Sequence, residues 1–534
     1  MASSLRPFKT FVAVLFGVAA TAVFPAPASV RAEDLMAPEM ASRVGLVENW
    51  RRQLSLIGGA KSAVDIQLHV EGNRERHFVE VTREKDGVVE VLSRRDVNEL
   101  DKYGKPLGVK EARRLASLEV LRWRRRGIET KLAENKIRQV RLYTLGSDGT
   151  IEARDAETGE LYWVTRNGNP DLFCGSMGID DQYVTFINGT VLYQLSAETG
   201  KLIRQTTLAG TPSMGSVIAG EFALVPTVRG GIEGFPLYDS DMYPFHEIVA
   251  GHATAKPVRA PGTTRTAWAT DLRFVYVMET EGTPSVIFRF PTDGIVSSEL
   301  AAAEGNRFFF GSENGHVYGI RATRSGEVLW RQSIGQPIYS TAFVSGERLF
   351  VSSVYKNLYC LELATGKHFW KGPVSQIDQV LGSSEDHIFA RTNSNRLTVI
   401  NAASGTRVAD VSQINLQHFV TNRLTDRLYL IGAGGMLQCL RPSNASLPTF
   451  KVAAEITVAK SSDSSDSEPK AAAGNDPFGA NGNIDPFDAG GAAVDPFAPA
   501  GDMADPFAPA AGGADPFAPA GGGADPFGGD PFQN

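Results

Sequence analysis

A unit of about 40 residues recurs along the middle of the chain and constrains the fold more than any other feature of the sequence. Clear copies are "GSDGTIEARDAETGELYW" at 146–163, "GSENGHVYGIRATRSGEVLW" at 311–330 and "NLYCLELATGKHFW" at 357–370. Each copy alternates apolar and polar residues, which predicts half-buried strands. Several short strands in each unit, repeated at this period, predict the blades of a β-propeller.

The turn and the last strand of the unit have their own signals. A glycine in the "AETG" or "SG" turn is suited to a positive φ angle. A tryptophan often ends the last strand, where a large ring would fill the wedge between adjacent blades. The alternative, a ligand-stacking surface, is weaker because the rings recur at equivalent positions. The residues concerned are Gly159, Gly200, Gly326, Gly366 and Gly405, with Trp163, Trp330 and Trp370.

Eight units can be counted when weaker copies are included, and together they span residues 136–458. The first unit lacks an inner strand of its own, whereas the segment "FKVAAEITV" at 450–458 is a spare strand after the last unit. Pairing the spare strand with the first unit would close the ring and leave no unpaired edge. The sequence therefore predicts an all-β fold built on an eight-bladed propeller, closed by the C-terminal strand.

These units resemble the PQQ-like β-propeller repeat, and the layout of the whole propeller is similar to that of the outer-membrane protein assembly factor BamB and its exported relatives. The resemblance implies an exported eight-bladed propeller that serves as a protein-binding platform. The larger quinoprotein dehydrogenases share the repeat and hold pyrroloquinoline quinone over the channel. A quinone or other small-ligand protein, including an oxidoreductase, is therefore the alternative function.

The residues that the quinoproteins use are missing from the sequence. Those enzymes carry two adjacent cysteines and clustered Ca²⁺ ligands, whereas this chain has three separated cysteines and scattered acids. An odd, sparse cysteine count also argues against a disulfide scaffold. We expect no enzyme activity, no cofactor and no metal site. The residues considered were Cys174, Cys360 and Cys439, and Asp181, Asp271 and Asp386, which we assign to inner hairpin turns.

Loop residues are the candidates for binding a protein partner. Five polar or aromatic residues fall in predicted turns between strands, although each is also typical of an ordinary solvated turn. They are Arg229, Tyr355, Lys356, Asn393 and Asn395.

Residues 1–32 read as a cleaved signal peptide. Two basic residues precede the uncharged run "FVAVLFGVAATAVF" at 11–24. After it, Val30-Arg31-Ala32 places small residues at the positions that a signal peptidase recognises. A membrane anchor is the alternative, but the run is shorter than the ~20 residues that a spanning helix needs. We expect an exported chain, in the periplasm or cell envelope, with no transmembrane segment after cleavage.

A small α+β domain is predicted at residues 40–135, ahead of the propeller. A helix is expected over 109–134, with its apolar face formed by Leu115, Leu118, Leu121, Ile128 and Leu132. Residues 110–141 carry eleven Lys or Arg and four Glu. We expect Arg124, Arg125 and Arg126 to contact an anionic surface, either lipid or an acidic protein. We do not expect nucleic acid as a partner, because the chain is predicted to be exported. The alternative is that these arginines lie on a helix face that is simply exposed to solvent.

Residues 461–534 form a low-complexity tail, predicted to be disordered because its composition cannot bury a core. The tail holds eleven Asp, one Glu and one Lys. It repeats "DPF" seven times, which resembles short adaptor-binding motifs and predicts multivalent binding to an envelope partner. The alternative is that the repeats arose by duplication and bind nothing. The seven phenylalanines are Phe478, Phe487, Phe497, Phe507, Phe517, Phe527 and Phe532.

Overall fold

Eight separate antiparallel sheets appear in a computed structural model of the protein. The structure describes residues 35–85, 88–101, 103–239, 241–411 and 414–451. Each sheet has three to five strands. The innermost strands of most successive sheets contact one another, and clusters of buried side chains join the other neighbouring sheets, which arranges the sheets as blades around a central axis. The predicted eight-bladed propeller is confirmed.

The N-terminal elements contribute to blades 1 and 8. Blade 1 has strand order β3-β2-β4-β5-β6, and β1 belongs to blade 8. In chain order these elements are α1 (Pro38–Arg43), β1 (Leu46–Gln53), a 3₁₀ turn (Gly59–Ser62), β2 (Ala63–Lys85), β3 (Val88–Asp96), α2 (Gly108–Arg124), β4 (Lys131–Gly146), β5 (Thr150–Asp155) and β6 (Leu161–Arg166).

Blades 2 to 5 each contain four consecutive strands, from the axis outwards. Blade 2 is β7 (Gly178–Ile179), β8 (Tyr183–Asn188), β9 (Val191–Ser196) and β10 (Leu202–Thr207). Blade 3 is β11 (Val217–Ala219), β12 (Phe222–Pro226), β13 (Ile232–Pro236) and β14 (Phe245–Glu247). Blade 4 is β15 (Val258–Arg259), β16 (Thr266–Thr270), β17 (Phe274–Glu279) and β18 (Ser285–Pro291). Blade 5 is β19 (Ala301–Ala303), β20 (Arg307–Gly311), β21 (His316–Arg321) and β22 (Glu327–Ser333).

The remaining blades are less regular. Blade 6 has three strands, and isolated bridges continue its outer edge. Blade 8 ends in β1, which comes from the N-terminus. Blade 6 is β23 (Phe343–Ser345), β24 (Arg348–Ser352) and β25 (Leu358–Glu362). Blade 7 is β26 (Ile377–Ser383), β27 (His387–Thr392), β28 (Leu397–Asn401) and β29 (Arg407–Val411). Blade 8 is β30 (Leu428–Ile431) and β31 (Met436–Pro442), followed by β1.

The hydrophobic core lies between blades rather than inside one layer. Successive side chains of a strand point to opposite faces. In β20, Phe308 and Phe310 therefore pack with Val277 of blade 4, whereas Phe309 packs with Val351 of blade 6. Both faces of a middle strand are covered, which explains its nearly continuous apolar sequence.

The tryptophans of the repeat pack between blades, as predicted. The Trp330 indole donates a hydrogen bond to the Leu363 carbonyl of the next blade at 2.9 Å. Its ring lies against the turn glycine Gly366, where an added Cβ would be 2.4 Å from a ring atom. We call this arrangement the tryptophan joint. The same joint pairs Trp163 with Gly200 and Trp370 with Gly405.

Positive φ angles at the turn glycines are also confirmed. All five have φ between 68° and 75°, a conformation that residues with a side chain rarely adopt. They are Gly159, Gly200, Gly326, Gly366 and Gly405.

The predicted ring closure is wrong. The first half of β2 pairs with β4 and supplies the inner strand of blade 1, the place assigned to residues 450–458. In addition, β1 pairs with β31 as the outer strand of blade 8. Its Trp50 forms a further tryptophan joint, donating to the Ala156 carbonyl at 2.9 Å and lying against Gly159. Of the proposed C-terminal strand, Phe450 forms an isolated bridge with Thr425, and residues 452–458 lie outside the described residues.

Much of segment 40–135 is shared with the propeller, since β1 and the first half of β2 are blade strands. The predicted boundary at 136 falls inside β4. Residues 71–137, which we call the insertion, connect the first two strands of blade 1. There, the second half of β2 pairs with β3 and with the first half of β4, and α2 packs on this sheet.

The predicted helix over 109–134 is too long. Helix α2 ends at Arg124, and Gly127 then adopts a φ of 73°. Residues from Lys131 onwards belong to β4, because the edge of β2 there offers hydrogen-bonding partners. In place of the last ten residues of the predicted helix, the chain forms a turn and then, from Lys131, a strand paired with β2.

Candidate functional site

The loops of the propeller lie on two faces. Because neighbouring strands in each blade are antiparallel, the connections alternate between the faces. Connections from strand 1 to 2 and from strand 3 to 4 lie on one face, which we call the insertion face because residues 71–137 leave blade 1 there. Connections from strand 2 to 3 and from one blade to the next lie on the other face, which we call the opposite face.

Exposed apolar side chains in the propeller loops concentrate on the opposite face. Among the described residues, nine large apolar side chains on its loops are exposed by 39% to 79%. The loops of the insertion face, apart from the insertion itself, carry Tyr238 and Tyr243. Exposed apolar side chains that gather on one side of a molecule are typical of protein-binding sites. The nine residues are Ile57, Leu172, Phe173, Val228, Ile248, Leu272, Tyr339, Val354 and Tyr355.

All five loop residues singled out in the sequence lie on the opposite face, in turns between the second and third strands. Tyr355 is 68% exposed. By contrast, Lys356 forms an ion pair with Asp378, so its charge is already matched within the chain. Asn395 adopts a φ of 59°, which supports the turn interpretation for this residue. The apolar neighbours of these residues were missed because single exposed leucines and phenylalanines are unremarkable in sequence.

The insertion presents a second exposed surface. The face of α2 that covers the sheet contains Ala112 and Ala116, with Val120 and Trp123 packed against the same cluster. The predicted apolar face is wrong in this respect: Leu118 is 51% exposed, and so is Leu121. Small alanines allow the helix to approach the sheet closely, which turns the leucines outwards. The other predicted members, Leu115, Ile128 and Leu132, are half-buried.

The three arginines predicted to bind an anionic surface lie at the end of α2. Arg124, Arg125 and Arg126 are all exposed. The Arg126 guanidinium lies over the Trp123 ring, 5.1 Å from its centroid, which fixes part of this cluster on the helix. The structure therefore leaves the cluster accessible to an anionic partner.

Buried ion pairs hold the insertion and residues 443–451, which we call the C-terminal segment, on the ring. Arg141 Nε lies 2.8 Å from Glu71 Oε1 at the base of the insertion, and burial raises the pKa of Glu71. Arg427 is fully buried and contacts Glu157 of blade 1 at 3.0 Å. The same guanidinium donates to the Ser446 carbonyl at 3.1 Å. Arg94 of β3 also donates to the Ser446 carbonyl, at 3.2 Å, so the chain around Ser446 lies beside the insertion, on the insertion face.

A polar cavity of about 620 Å³ lies on the propeller axis, lined by inner-strand residues of most blades. It contains Asp65, Lys256, Glu299 and Arg423. The Met177 backbone N–H donates to Asp65 at 2.9 Å, and the Lys256 ammonium donates to the Met177 carbonyl. This lining suits a hydrated polar channel.

The residues present do not match the site that the quinoproteins use. The three cysteines are free and buried in different blades. Asp181 contacts His69 at 2.7 Å in an inner hairpin turn, as expected. Although burial disfavours its charge, the His69 hydrogen bond holds the pKa of Asp181 below its usual value. Asp271 instead lies between the second and third strands of blade 4, where it pairs with His252, and Asp386 lies in an inner hairpin turn of blade 7.

Comparisons with known proteins agree with the repeat assignment. A family model described as "Outer membrane protein assembly factor BamB" matches residues 260–354 and 313–447, about a third of the chain. The predicted resemblance is thereby confirmed: the chain is a PQQ-like repeat protein that resembles BamB. A comparison with the curated proteins gave no match.

Two solved structures illustrate the likeness. The crystal structure of BamB from Moraxella catarrhalis is 17% identical, with a TM-score of 0.45, and the match covers 56% of this chain and 91% of that one. The computationally designed Ika8 protein is 13% identical, with a TM-score of 0.44, and the match covers 56% and 92%. Within the described residues, no helix is both long and apolar enough to cross a bilayer.

Proposed function

We propose that the protein is an exported, non-enzymatic scaffold or assembly factor of the bacterial cell envelope, which binds protein partners through the opposite face. The observation that carries this proposal is the set of nine exposed apolar side chains on one side of the ring. Aromatic side chains such as Phe173 and Tyr355 are the kind that contribute much of the binding energy in protein interfaces. The family match over residues 260–447 supports an envelope role.

The rigid ring suits this role. Each blade is packed against both neighbours, so that loops from different blades are held at fixed separations. A partner that contacts Phe173 and Tyr355 would therefore meet a surface organised before binding, which lowers the cost of association.

Site-specific photocrosslinking in intact cells tests the binding face. A benzophenone amino acid at Phe173 or Tyr355 should yield adducts of discrete mass, identified by mass spectrometry. Tyr243 is the matched control, since it is 87% exposed but lies on the insertion face. Combining the probe at Phe173 with Tyr355→Ser should reduce adduct yield, because the substitution removes a second anchor on the same face of the ring. Equal adducts at Tyr243, or a yield unchanged by Tyr355→Ser, would contradict the proposal.

Export is tested separately. Residues 1–32, fused to a reporter that is active only outside the cytoplasm, should give reporter activity. N-terminal sequencing of the native protein should place the new terminus after Ala32. An inactive fusion would remove the envelope assignment while leaving the binding face to be judged by crosslinking.

A further inference from the structure

The outward face of α2 combines apolar and cationic side chains. Leu118 and Leu121 lie about one turn apart, and each is 51% exposed. Arg122 follows Leu118 by four residues, and Arg125 follows Leu121 by four, so each leucine has an arginine beside it on the helix surface. The alanines that pack on the sheet lie on the other side of the helix. The stripe that faces away from the sheet is therefore both apolar and basic.

The acidic residues of α2 do not neutralise this stripe. Glu111 contacts Arg114 at 2.7 Å, and Glu119 contacts Arg95 of β3 at 2.8 Å, so both carboxylates already have partners. In the part of the chain that the structure describes, no carboxylate lies within ion-pair distance of the four arginines near the end of the helix. They are Arg122, Arg124, Arg125 and Arg126.

A structural role does not account for the whole stripe. Basic residues at the C-terminal end of a helix complement its dipole, which would explain Arg124 and Arg125 without any partner. Leu118 and Leu121 gain nothing from the dipole, and their exposure to water forgoes the free energy of apolar burial. Exposed leucines among unpaired cations instead favour a partner that has an anionic surface and an apolar interior.

We propose that the outward face of α2 binds the surface of an anionic phospholipid bilayer. A helix that lies in a membrane interface combines apolar side chains with lysine and arginine. Leu118 and Leu121 would enter the boundary between headgroups and acyl chains, while the long side chains of Arg122 and Arg125 would let their guanidinium groups reach the phosphates. Residues 110–141 carry eleven basic and four acidic residues, which adds attraction to an anionic surface.

The distribution of charge around the helix favours a bilayer over an acidic protein. Because each residue advances an α-helix by about 100°, Arg122 and Arg124 lie on opposite sides of the two leucines. Apolar side chains flanked by cations on both sides fit a plane of phosphates that surrounds the inserted groups. A single acidic segment would meet the arginines on one side and leave the others unpaired.

This membrane site is independent of the proposed scaffold function, because it lies on the insertion and not on the loops of the opposite face. The insertion leaves the ring on the insertion face. A bilayer bound there would leave the opposite face accessible, so that the protein could hold a partner while attached to the membrane.

Binding of the purified mature chain to lipid vesicles tests the proposal. Vesicles of phosphatidylcholine with about one third phosphatidylglycerol are compared with vesicles of phosphatidylcholine alone in a flotation assay. We expect about tenfold more chain on the anionic vesicles. Because the attraction is electrostatic, about 0.5 M salt should remove most of this excess.

A fluorescent label reports which surface enters the bilayer. Leu118→Cys, labelled with an environment-sensitive dye, should shift its emission to shorter wavelength on anionic vesicles, since the dye enters an apolar environment. The matched control is Leu272→Cys, because Leu272 is 55% exposed but lies on the opposite face. The three native cysteines are buried, which protects them from labelling.

Paired substitutions separate the contributions of charge and apolar contact. Arg122→Glu with Arg125→Glu, and Leu118→Ser with Leu121→Ser, should each reduce binding to anionic vesicles by about tenfold. Arg229→Glu with Arg273→Glu makes the same change of charge at exposed residues of the opposite face and should leave binding unchanged. Thermal unfolding verifies that the ring is intact in each variant.

Four outcomes would overturn the proposal. They are equal binding to both kinds of vesicle, an equal emission shift from the label at position 272, binding unchanged by the substitutions in α2, and binding to soluble polyglutamate without binding to vesicles. The last outcome would assign the outward face of α2 to an acidic protein instead.

Discussion

Blades 5 and 8 have the same joint but reach it by different chain paths. Blade 5 uses four consecutive strands, and its last strand carries Trp330. Blade 8 takes its outer strand from the N-terminus, where Leu46 pairs with Pro442, and this strand carries Trp50. Both indoles donate to a carbonyl of the next blade at 2.9 Å. Identical packing is thus available to a contiguous unit and to one assembled from opposite ends of the chain.

The difference lies in what holds the last strand. In blade 5, a short turn links β21 to β22, so the strand stays near its neighbour even when the joint is weakened. In blade 8, only hydrogen bonds and packing hold β1 against β31. A buried contact between Arg427 and Glu157 of blade 1 reinforces this region. Ring closure therefore depends on non-covalent contacts concentrated in blade 8.

Removing β1 should have the largest effect. A chain that begins at Ser55 exposes the edge of β31 and the core around Leu437 and Cys439, which are fully buried. We expect loss of cooperative thermal unfolding together with self-association in size-exclusion chromatography. A cooperative transition at the temperature of the mature chain would show that β1 does not close the ring.

Trp50→Ala and Trp330→Ala should each lower the free energy of unfolding by about 3–5 kcal/mol, since both leave a cavity beside a turn glycine. Hydrogen exchange should distinguish them. Only Trp50→Ala should accelerate exchange of the β1 amides, because no turn connects β1 to β31. If Trp330→Ala accelerated amide exchange in β22 as much as Trp50→Ala accelerates it in β1, the two blades would not differ in how their last strand is held.

Arg427→Met should cost about 3 kcal/mol, because it leaves the buried Glu157 carboxylate without its main partner. Adding Glu157→Gln should recover much of this loss, which urea denaturation can measure as a double-mutant cycle. Strictly additive losses would indicate that the two side chains do not stabilise blade 8 as a pair.

A smaller, pH-dependent effect is expected at Lys451. Burial lowers the pKa of Lys451 from 10.5 to about 8, despite the favourable charge of Asp426. Because the unfolded chain then binds more protons than the folded one between these values, stability from this group rises as pH increases above about 8. From pH 8 to 9, the wild-type chain should gain about 1 kcal/mol relative to Lys451→Met.

The difference in stability between the wild-type chain and Lys451→Met cancels the contribution of other titrating groups, which are the same in both. Burial raises the pKa of Cys360 to about 12, which acts in the opposite direction above pH 9 in both chains. Parallel stability curves for wild type and Lys451→Met would contradict the lowered pKa.

The blades were predictable because their signals are local. Alternating strands, turn glycines and terminal tryptophans recur within each unit, and the structure confirms them. Closure was mispredicted because the outer strand of blade 8 lies far from its partner in sequence. The segment "LVENWRRQ" at 46–53 does carry a usable signal, since its tryptophan is followed by arginine and further polar residues, as in "GEVLWRQS".

The candidate sites were less accessible to sequence reasoning. The apolar spacing of α2 identified a helix but not which face the sheet would cover. Ala112 and Ala116 pack inwards, and the larger Leu118 and Leu121 remain outside. On the opposite face, Phe173 and Tyr355 lie in different units, and nothing local links them.

By itself, the sequence determined the strands, the turns and the number of blades, because residues close in the chain specify alternation, positive φ and the repeat period. The tertiary structure alone decided how the ring closes and which side chains share a face. Closure depends on β1 reaching β31 across the whole propeller, and the apolar face depends on seven loops brought together by the ring. Both are contacts between distant residues, and a local pattern contains no information about which distant partner a strand or loop will meet.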